Sequence, residues 1–181
     1  YSGWSKKQVS GVDEDGHGWV DLDLPSGTIW CTENFGADLE EYKKTGDGYC
    51  LLGAFCPWGS VDYTNYSQST TDIGGTDKDI VTMAWGKTWR IPSRENAVEL
   101  VNNTTRREFQ EGYFGNVHAY VWTGINDEII VMPIQNRGVI NAFWTSTPYD
   151  INIAYMFRVD GAWNYLPSKS ETFEIRPIMV K

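Results

Sequence analysis

Two stretches of the chain carry residue types that do chemistry in other settings. Gly86-Lys87-Thr88 has the ending of a phosphate-binding loop, in which backbone N–H groups and a lysine cradle phosphate oxygens. Such a loop needs a glycine five positions before Gly86, where Val81 stands, and the neighbours Trp85, Trp89 and Pro92 do not suit a glycine-rich turn opening a helix. Phosphate binding is therefore rejected. Asp13-Glu14-Asp15-Gly16-His17-Gly18 has the outline of a calcium loop, but an EF-hand needs an oxygen ligand at His17 and a glutamate at Leu24. It reads instead as a solvated acidic turn. Asp150 and Asn152 offer two more oxygens, too few for a cage, so the fold is expected to need no metal.

Catalytic machinery is equally sparse. Nucleophilic hydrolysis needs a base beside an activated Ser or Cys. No Gly-x-Ser-x-Gly is present, and of the two histidines, His118 sits in an aromatic strand-like region that fits a structural role. A pair of carboxylates could be drawn from the 24 acidic residues, but separation in space is invisible in a sequence. No catalytic residue and no cofactor are assigned. Recognition is better served. Tyr149, Asp150, Asn152, Trp163, Asn164 and Tyr165 give, with Arg158, the Tyr, Trp, Asn and Arg mix of binding surfaces. Ordinary surface aromatics around a β-turn are the competing reading, and Arg158 could face inward between Phe157 and Val159.

These residues must be positioned by a frame organised around Ala84-Trp85-Gly86-Lys87-Thr88-Trp89-Arg90-Ile91-Pro92-Ser93. Pro92 pushes Ile91 towards an extended conformation, and Ser93 is a good helix N-cap. Ala97, Val98 and Val101 follow at helical spacing, with Leu100 beside them. Upstream, residues 1–18 read as an irregular lead-in. Val20, Leu22 and Leu24 alternate as in a half-buried strand, Pro25-Ser26-Gly27 turns the chain, and residues 28–32 read as a second strand. Residues 38–44 and 79–85 are short helix candidates, with a long loop from Gly46 to Thr76 between them. A loop of that length is functional or tied down by its own aromatics. Short strands are expected over residues 119–123, 128–132, 143–146, 155–159, 162–165 and 173–180, the last interrupted by Pro177. Helices in the first half and strands in the second predict an α+β class.

The formal charge of −9 argues against nucleic acid or an anionic membrane as the main partner, and no apolar run approaches the roughly 20 residues that span a bilayer. The 181 residues suit one domain. Cys50 and Cys56 could close a small loop with Cys31 left over, or all three could be buried thiols, which is the preferred reading.

Three ordered segments carry a family resemblance. Residues 20–30 (VDLDLPSGTIW) resemble the "VDLGLPSGTLW" opening of the Fibrobacter succinogenes major paralogous domain (FISUMP) of Bacteroidetes surface proteins. Residues 79–92 resemble that family's helix followed by "WGGSWRMPT". Phe143-Trp144-Thr145-Ser146-Thr147-Pro148, Ala154-Tyr155 and Arg176-Pro177-Ile178 resemble its "YWSST…AY…RPV" ending. Asp23 stands where the family usually has glycine, which implies a slightly different turn, and Lys87-Thr88 replaces Gly-Ser.

The resemblance implies a C-type-lectin-like fold over residues 19–181, with two main short helices, long loops and terminal strands that come together. It places Trp30, Trp85, Gly86, Trp89, Arg90, Pro92, Trp144 and Arg176 in a structural motif, the tryptophans in the core. True calcium-dependent lectins carry Glu-Pro-Asn or Gln-Pro-Asp and Trp-Asn-Asp signatures that this chain lacks. The related formylglycine-generating enzymes use C-terminal cysteines, and no cysteine follows Cys56. The expected function is a non-catalytic, adhesin-like module, monomeric or part of a larger surface protein, that binds extracellular protein or glycan. The expected location is the cell surface or periplasm of a Gram-negative bacterium, with a lipid anchor carried ahead of Tyr1. A carbohydrate hydrolase using a carboxylate pair, and a fimbria-associated structural module without its own ligand, are the alternatives.

Overall fold

The computed structural model describes residues 8–135, 140–163 and 165–180, with residues 110–112 described by backbone alone. Strands β1 (Ser10–Val12), β2 (Gly18–Asp21) and β3 (Ile29–Cys31) open the chain. Helix α1 (Leu39–Thr45), a 3-10 turn (Gly48–Leu51), β4 (Cys56–Pro57), α2 (Ile80–Trp85), β5 (Trp89–Arg90) and α3 (Arg94–Asn103) follow. The rest is strand: β6 (Thr105–Phe114), β7 (Val117–Thr123), β8 (Ile129–Ile134), β9 (Ala142–Pro148), β10 (Ala154–Arg158), β11 (Thr172–Phe173) and β12 (Ile178–Met179). Among the described residues this is an α+β fold with three helices and mostly antiparallel sheets.

The central sheet has five strands in the order β1-β2-β3-β12-β5. The C-terminal β12 lies between β3 and β5, with Ile178 opposite Trp30 on one side and Arg90 on the other. A meander β6-β7-β8 and the pairs β9-β10 and β4-β11 complete the strands.

Each helix is shaped by its caps. In α1 the Asp38 side chain accepts from the Glu41 N–H, and Gly46 closes the helix in a left-handed conformation (φ 70°). Glu40 and Glu41 lead and Lys43 and Lys44 trail, as the helix dipole favours, yet no α1 residue is buried. Asp79 is buried and holds α2, accepting from Val81 and Thr82 N–H, and also from Gly75 and Ile91 N–H. Burial raises the Asp79 pKa, an effect these backbone bonds oppose. Ser93 and Asn96 form a reciprocal capping box on α3. The buried face of α3 is Ala97 and Leu100, while Val98 and Val101 are half-buried.

Two apolar clusters form the core. One gathers Trp58, Trp89, Trp144 and Phe173 around α2; the other gathers Trp30, Trp122, Phe143 and Phe157 under α3. Val20, Leu22 and Leu24 are all buried, as their alternation predicts.

Three sequence expectations need correction. Residues 8–18 are not an irregular lead-in: β1 pairs with β2, and the Trp89 indole N–H donates to Asp13 Oδ2 at 2.6 Å. Among the described residues seven of the twelve strands lie in the second half of the chain, as expected, although four of the five central strands come from the first. Of the strand expected over residues 162–165, Asn164 lies outside the described residues, and Ala162, Trp163 and Tyr165 are not in a strand; the chain turns just before them, where Gly161 takes φ 81° and Asp160 Oδ1 accepts from the Ala162 N–H. The strand expected over 173–180 is split into β11 and β12, and between them Pro177 uses its carbonyl to accept from the Cys31 N–H.

Candidate functional site

The expected recognition residues fall in three settings. Tyr149, Asp150 and Asn152 form an exposed turn between β9 and β10. Asp150 Oδ1 accepts from the N–H groups of Asn152 (2.7 Å) and Ile153 (2.8 Å), an Asx arrangement that fixes the turn from within. The Tyr149 ring is 55% exposed and meets Tyr155 edge-on at 5.6 Å.

Trp163 is half-buried. It packs against the second core cluster, its ring tilted over Phe157 at 6.4 Å, and leaves the rest of its surface open. Tyr165 packs against the first cluster and donates its hydroxyl to the Glu171 carboxylate at 2.8 Å. That bond raises the Tyr165 pKa. Asn164 lies outside the described residues. Arg158 is half-buried and pairs with Asp160 at 2.7 Å.

What ties the turn to its neighbours is Lys169, which sequence reasoning missed. Its side chain is fully buried, and Nζ donates to the carbonyls of Ser69 (2.7 Å), Asp150 (2.7 Å) and Ile151 (3.2 Å). The ammonium also sits 4.2 Å from the centre of the Trp58 ring. Burial lowers its pKa, and the Asp150 charge opposes that shift. The Lys169 N–H bonds Asn152 O, and its carbonyl accepts from the Trp58 N–H. Trp58, in the long loop, is itself buried and donates its indole N–H to Thr145 O. Three irregular segments, around 58–72, 149–153 and 165–171, are thus locked together. Val61, Tyr63, Tyr66, Tyr149, Ile151 and Leu166 are the large apolar side chains these segments expose. No periodicity or motif marks a lone lysine between two serines.

Of the structural-motif residues, Gly86 is exposed, Trp85 and Arg90 are half-buried and the others are buried. Trp30, Trp89 and Trp144 are buried, Pro92 is buried, and Trp85 is half-buried against the first cluster with His17 stacked on it at 3.8 Å. Gly86 caps α2 with φ 85°, and half-buried Arg90 contributes its backbone to β5. Arg176 is fully buried; it donates to Asn34 Oδ1 (2.8 Å), Cys31 O (3.2 Å) and Val131 O (2.7 Å). Asn34 Nδ2 passes the network on to Leu52 O (2.9 Å) and Glu174 Oε1 (3.1 Å). Burial pushes the Arg176 pKa down to about 10 and raises Glu174 well above the usual carboxylate value.

Arg176 also reaches a small cavity of about 170 Å³ beneath α1, and a shallower groove of about 460 Å³ adjoins it along Glu33, Asn34 and Leu39 towards His17 and Trp85. A third depression of about 360 Å³ lies beside Asp23 and Ile125. All three cysteines are free thiols, Cys31 and Cys56 buried and Cys50 half-buried. Burial pushes the thiols of Cys31 and Cys56 up to about 12, so neither is a nucleophile at neutral pH. Among the described residues no three His, Cys, Asp or Glu side chains are grouped to hold a metal, and no helix is long and apolar enough to cross a membrane. Comparison with protein-family models, with curated proteins and with solved structures finds no match.

Proposed function

We propose that this chain is a non-catalytic ligand-binding module of C-type-lectin-like fold, related to the FISUMP domains of bacterial surface proteins. It takes extracellular protein or glycan through the loop face built on residues 149–153 and 165–171. Its place would be the surface or periplasm of a Gram-negative bacterium. The family reading draws support from where the resembling segments lie. The opening segment, the Trp85–Pro92 turn and the Arg176–Ile178 ending are far apart in sequence, yet β3, β5 and β12 place all three side by side in one sheet. Asp23, at the family's glycine position, has φ 57°, the left-handed conformation that glycine favours.

The observation that carries the binding reading is the Lys169 clamp. Irregular backbone costs conformational entropy to order. Here that order is built in before any partner arrives, and it presents Tyr149 and Ile151 to solvent. A preformed loop surface on a rigid frame is how recognition sites are commonly carried.

A glycan array together with a screen of extracellular-matrix proteins tests this. Tyr149→Ala should weaken binding by about 2 kcal/mol or more, as loss of an aromatic anchor does, while melting temperature stays within a degree or two. Turnover of chromogenic glycosides would replace this reading with the hydrolase. No binding in either screen would leave a structural module.

A further inference from the structure

We propose that Arg94 takes a side-chain carboxylate from a protein partner at the loop face, an inference that rests on the reading of that face as a recognition surface and names what it takes. Arg94 opens α3, which packs beside β9 and β10. Its guanidinium lies over the Tyr155 ring, 4.7 Å from the centre, and the exposed Tyr149 ring meets the same tyrosine edge-on. The charge therefore stands beside the turn of residues 149–153, which also exposes Ile151.

The charge is placed but unpaired. Three and four residues on, where a helix-surface arginine meets a partner on its own helix, stand Ala97 and Val98. The carboxylates of the neighbouring loops are taken up locally. Asp150 accepts from the Asn152 and Ile153 N–H groups, and Asp72 accepts from the Gly74 N–H and the Thr147 hydroxyl. Among the described residues no carboxylate pairs with Arg94, and no acceptor takes its side-chain N–H groups. Stacking on Tyr155 holds the guanidinium in place, so a long side chain is ordered before a ligand arrives.

The surroundings select among anions. A planar guanidinium fork matches a carboxylate through two parallel N–H···O bonds. A phosphate dianion or a polyanion would need more than one cation, and the chain carries a net charge of −9. The surroundings also select the carrier. Small ligands sit in concave sites. The cavity beneath α1, the groove beside it and the depression by Asp23 are all lined by other residues. Ile151 and Leu166, 48% and 40% exposed, are aliphatic, and they pack on the apolar side chains of a protein in preference to sugar hydroxyls. The occupant is an Asp or Glu flanked by an apolar residue, the acid on Arg94 and the apolar side chain against Tyr149 and Ile151.

Selection of phage-displayed random octapeptides on the full chain tests this, with end-capped synthetic peptides and methyl glucuronide as defined probes. Selected peptides should share one Asp or Glu next to Leu, Ile, Val or Phe. Changing that acid to its amide should weaken binding at least about tenfold. Arg94→Gln should cause the same loss at an unchanged melting temperature, because the side chain is exposed, and the amide change should then have no further effect. Arg94→Lys, which lacks the fork, should restore only part. Peptides that lose affinity in Tyr149→Ala but not in Arg94→Gln would overturn the carboxylate and leave the loop-face reading standing. Peptides indifferent to both substitutions would overturn both. A library that yields no peptide dependent on Arg94 overturns the proposal, and glucuronide binding through Arg94 would then assign the residue to an acidic glycan.

Discussion

Arg176 and Lys169 are both fully buried cations that bond carbonyl oxygens, but they hold different kinds of structure. Arg176 sits where elements are regular. It joins the end of β3 at Cys31 to the middle of β8 at Val131, and through Asn34 it meets Glu174. Lys169 sits where nothing is regular and gathers Ser69, Asp150 and Ile151 around one atom, over Trp58. The difference follows from the two head groups. A planar guanidinium has donors in fixed directions and suits acceptors that strands have already placed. An ammonium is a compact charge with rotating donors, so the acceptors can converge on it from loops of any shape. The motif-bearing side is therefore held by directional bonds between sheets, and the loop side by convergence on a point.

Removing each cation separates the two cases. Arg176→Met should cause the largest loss, about 3–5 kcal/mol, because it strands Glu174, Asn34 and two carbonyls in a dry interior. That is a large share of the roughly 5–15 kcal/mol a domain of this kind has. Urea unfolding measures it, and Arg176→Lys should recover only part, since one ammonium cannot span the same acceptors. A loss under about 1 kcal/mol for the methionine variant would show that the network is not what joins the sheets.

Lys169→Met should cost less, about 1–3 kcal/mol, because loop carbonyls near the surface can turn to water. Hydrogen exchange carries the sharper signal. The Ile153 and Ser67 amides should exchange faster, while the Trp30 and Trp122 amides in the sheets keep their protection. Uniform loosening of all four would mean that loop and sheet sides unfold as one unit, and the contrast between the cations would disappear.

The same contrast explains what was legible in the sequence. The capped helices could be read because Asp38, Asp79 and Ser93 act on neighbours a few residues away. The burial of Val20, Leu22 and Leu24 could be read because alternation is local. The ten-residue β6 could not: Arg106, Arg107 and Glu108 mask it. It is an edge strand, where charge discourages further pairing, and Arg106 lies over the Trp122 ring at 4.9 Å across the register. The turn at residues 149–153 was visible as composition, but its support was not, because Lys169 reaches Ser69 across 100 residues. The packing of Trp163 was hidden for the same reason. Polar neighbours in sequence give it a surface look, while Phe157 takes it inward. The cavity beneath α1 draws on Glu33, Tyr42, Phe114 and Arg176, four positions with no spacing in common.

The smallest effect returns to the motif-bearing side, at Asp23. Its φ of 57° is in the region where an L residue crowds its own carbonyl, at a cost of roughly 1–2 kcal/mol that is lower for Asp and Asn. The backbone is held there by the Asp23 N–H to Asp21 Oδ1 bond at 3.0 Å, which any residue at position 23 can make. The Asp23 side chain is exposed, so its loss removes no core contact. Asp23→Gly relieves the crowding but adds about 0.5–1 kcal/mol of unfolded-chain entropy to be lost on folding. The two nearly cancel, and a rise in stability below about 1 kcal/mol is expected from them. A rise would mean that the turn keeps a backbone geometry suited to glycine, as the proposed relation to domains carrying glycine there would require. A clear fall would mean that the carboxylate itself matters. The depression it shares with Thr104, Thr105 and the 80% exposed Ile125 would then be the place to look for its partner.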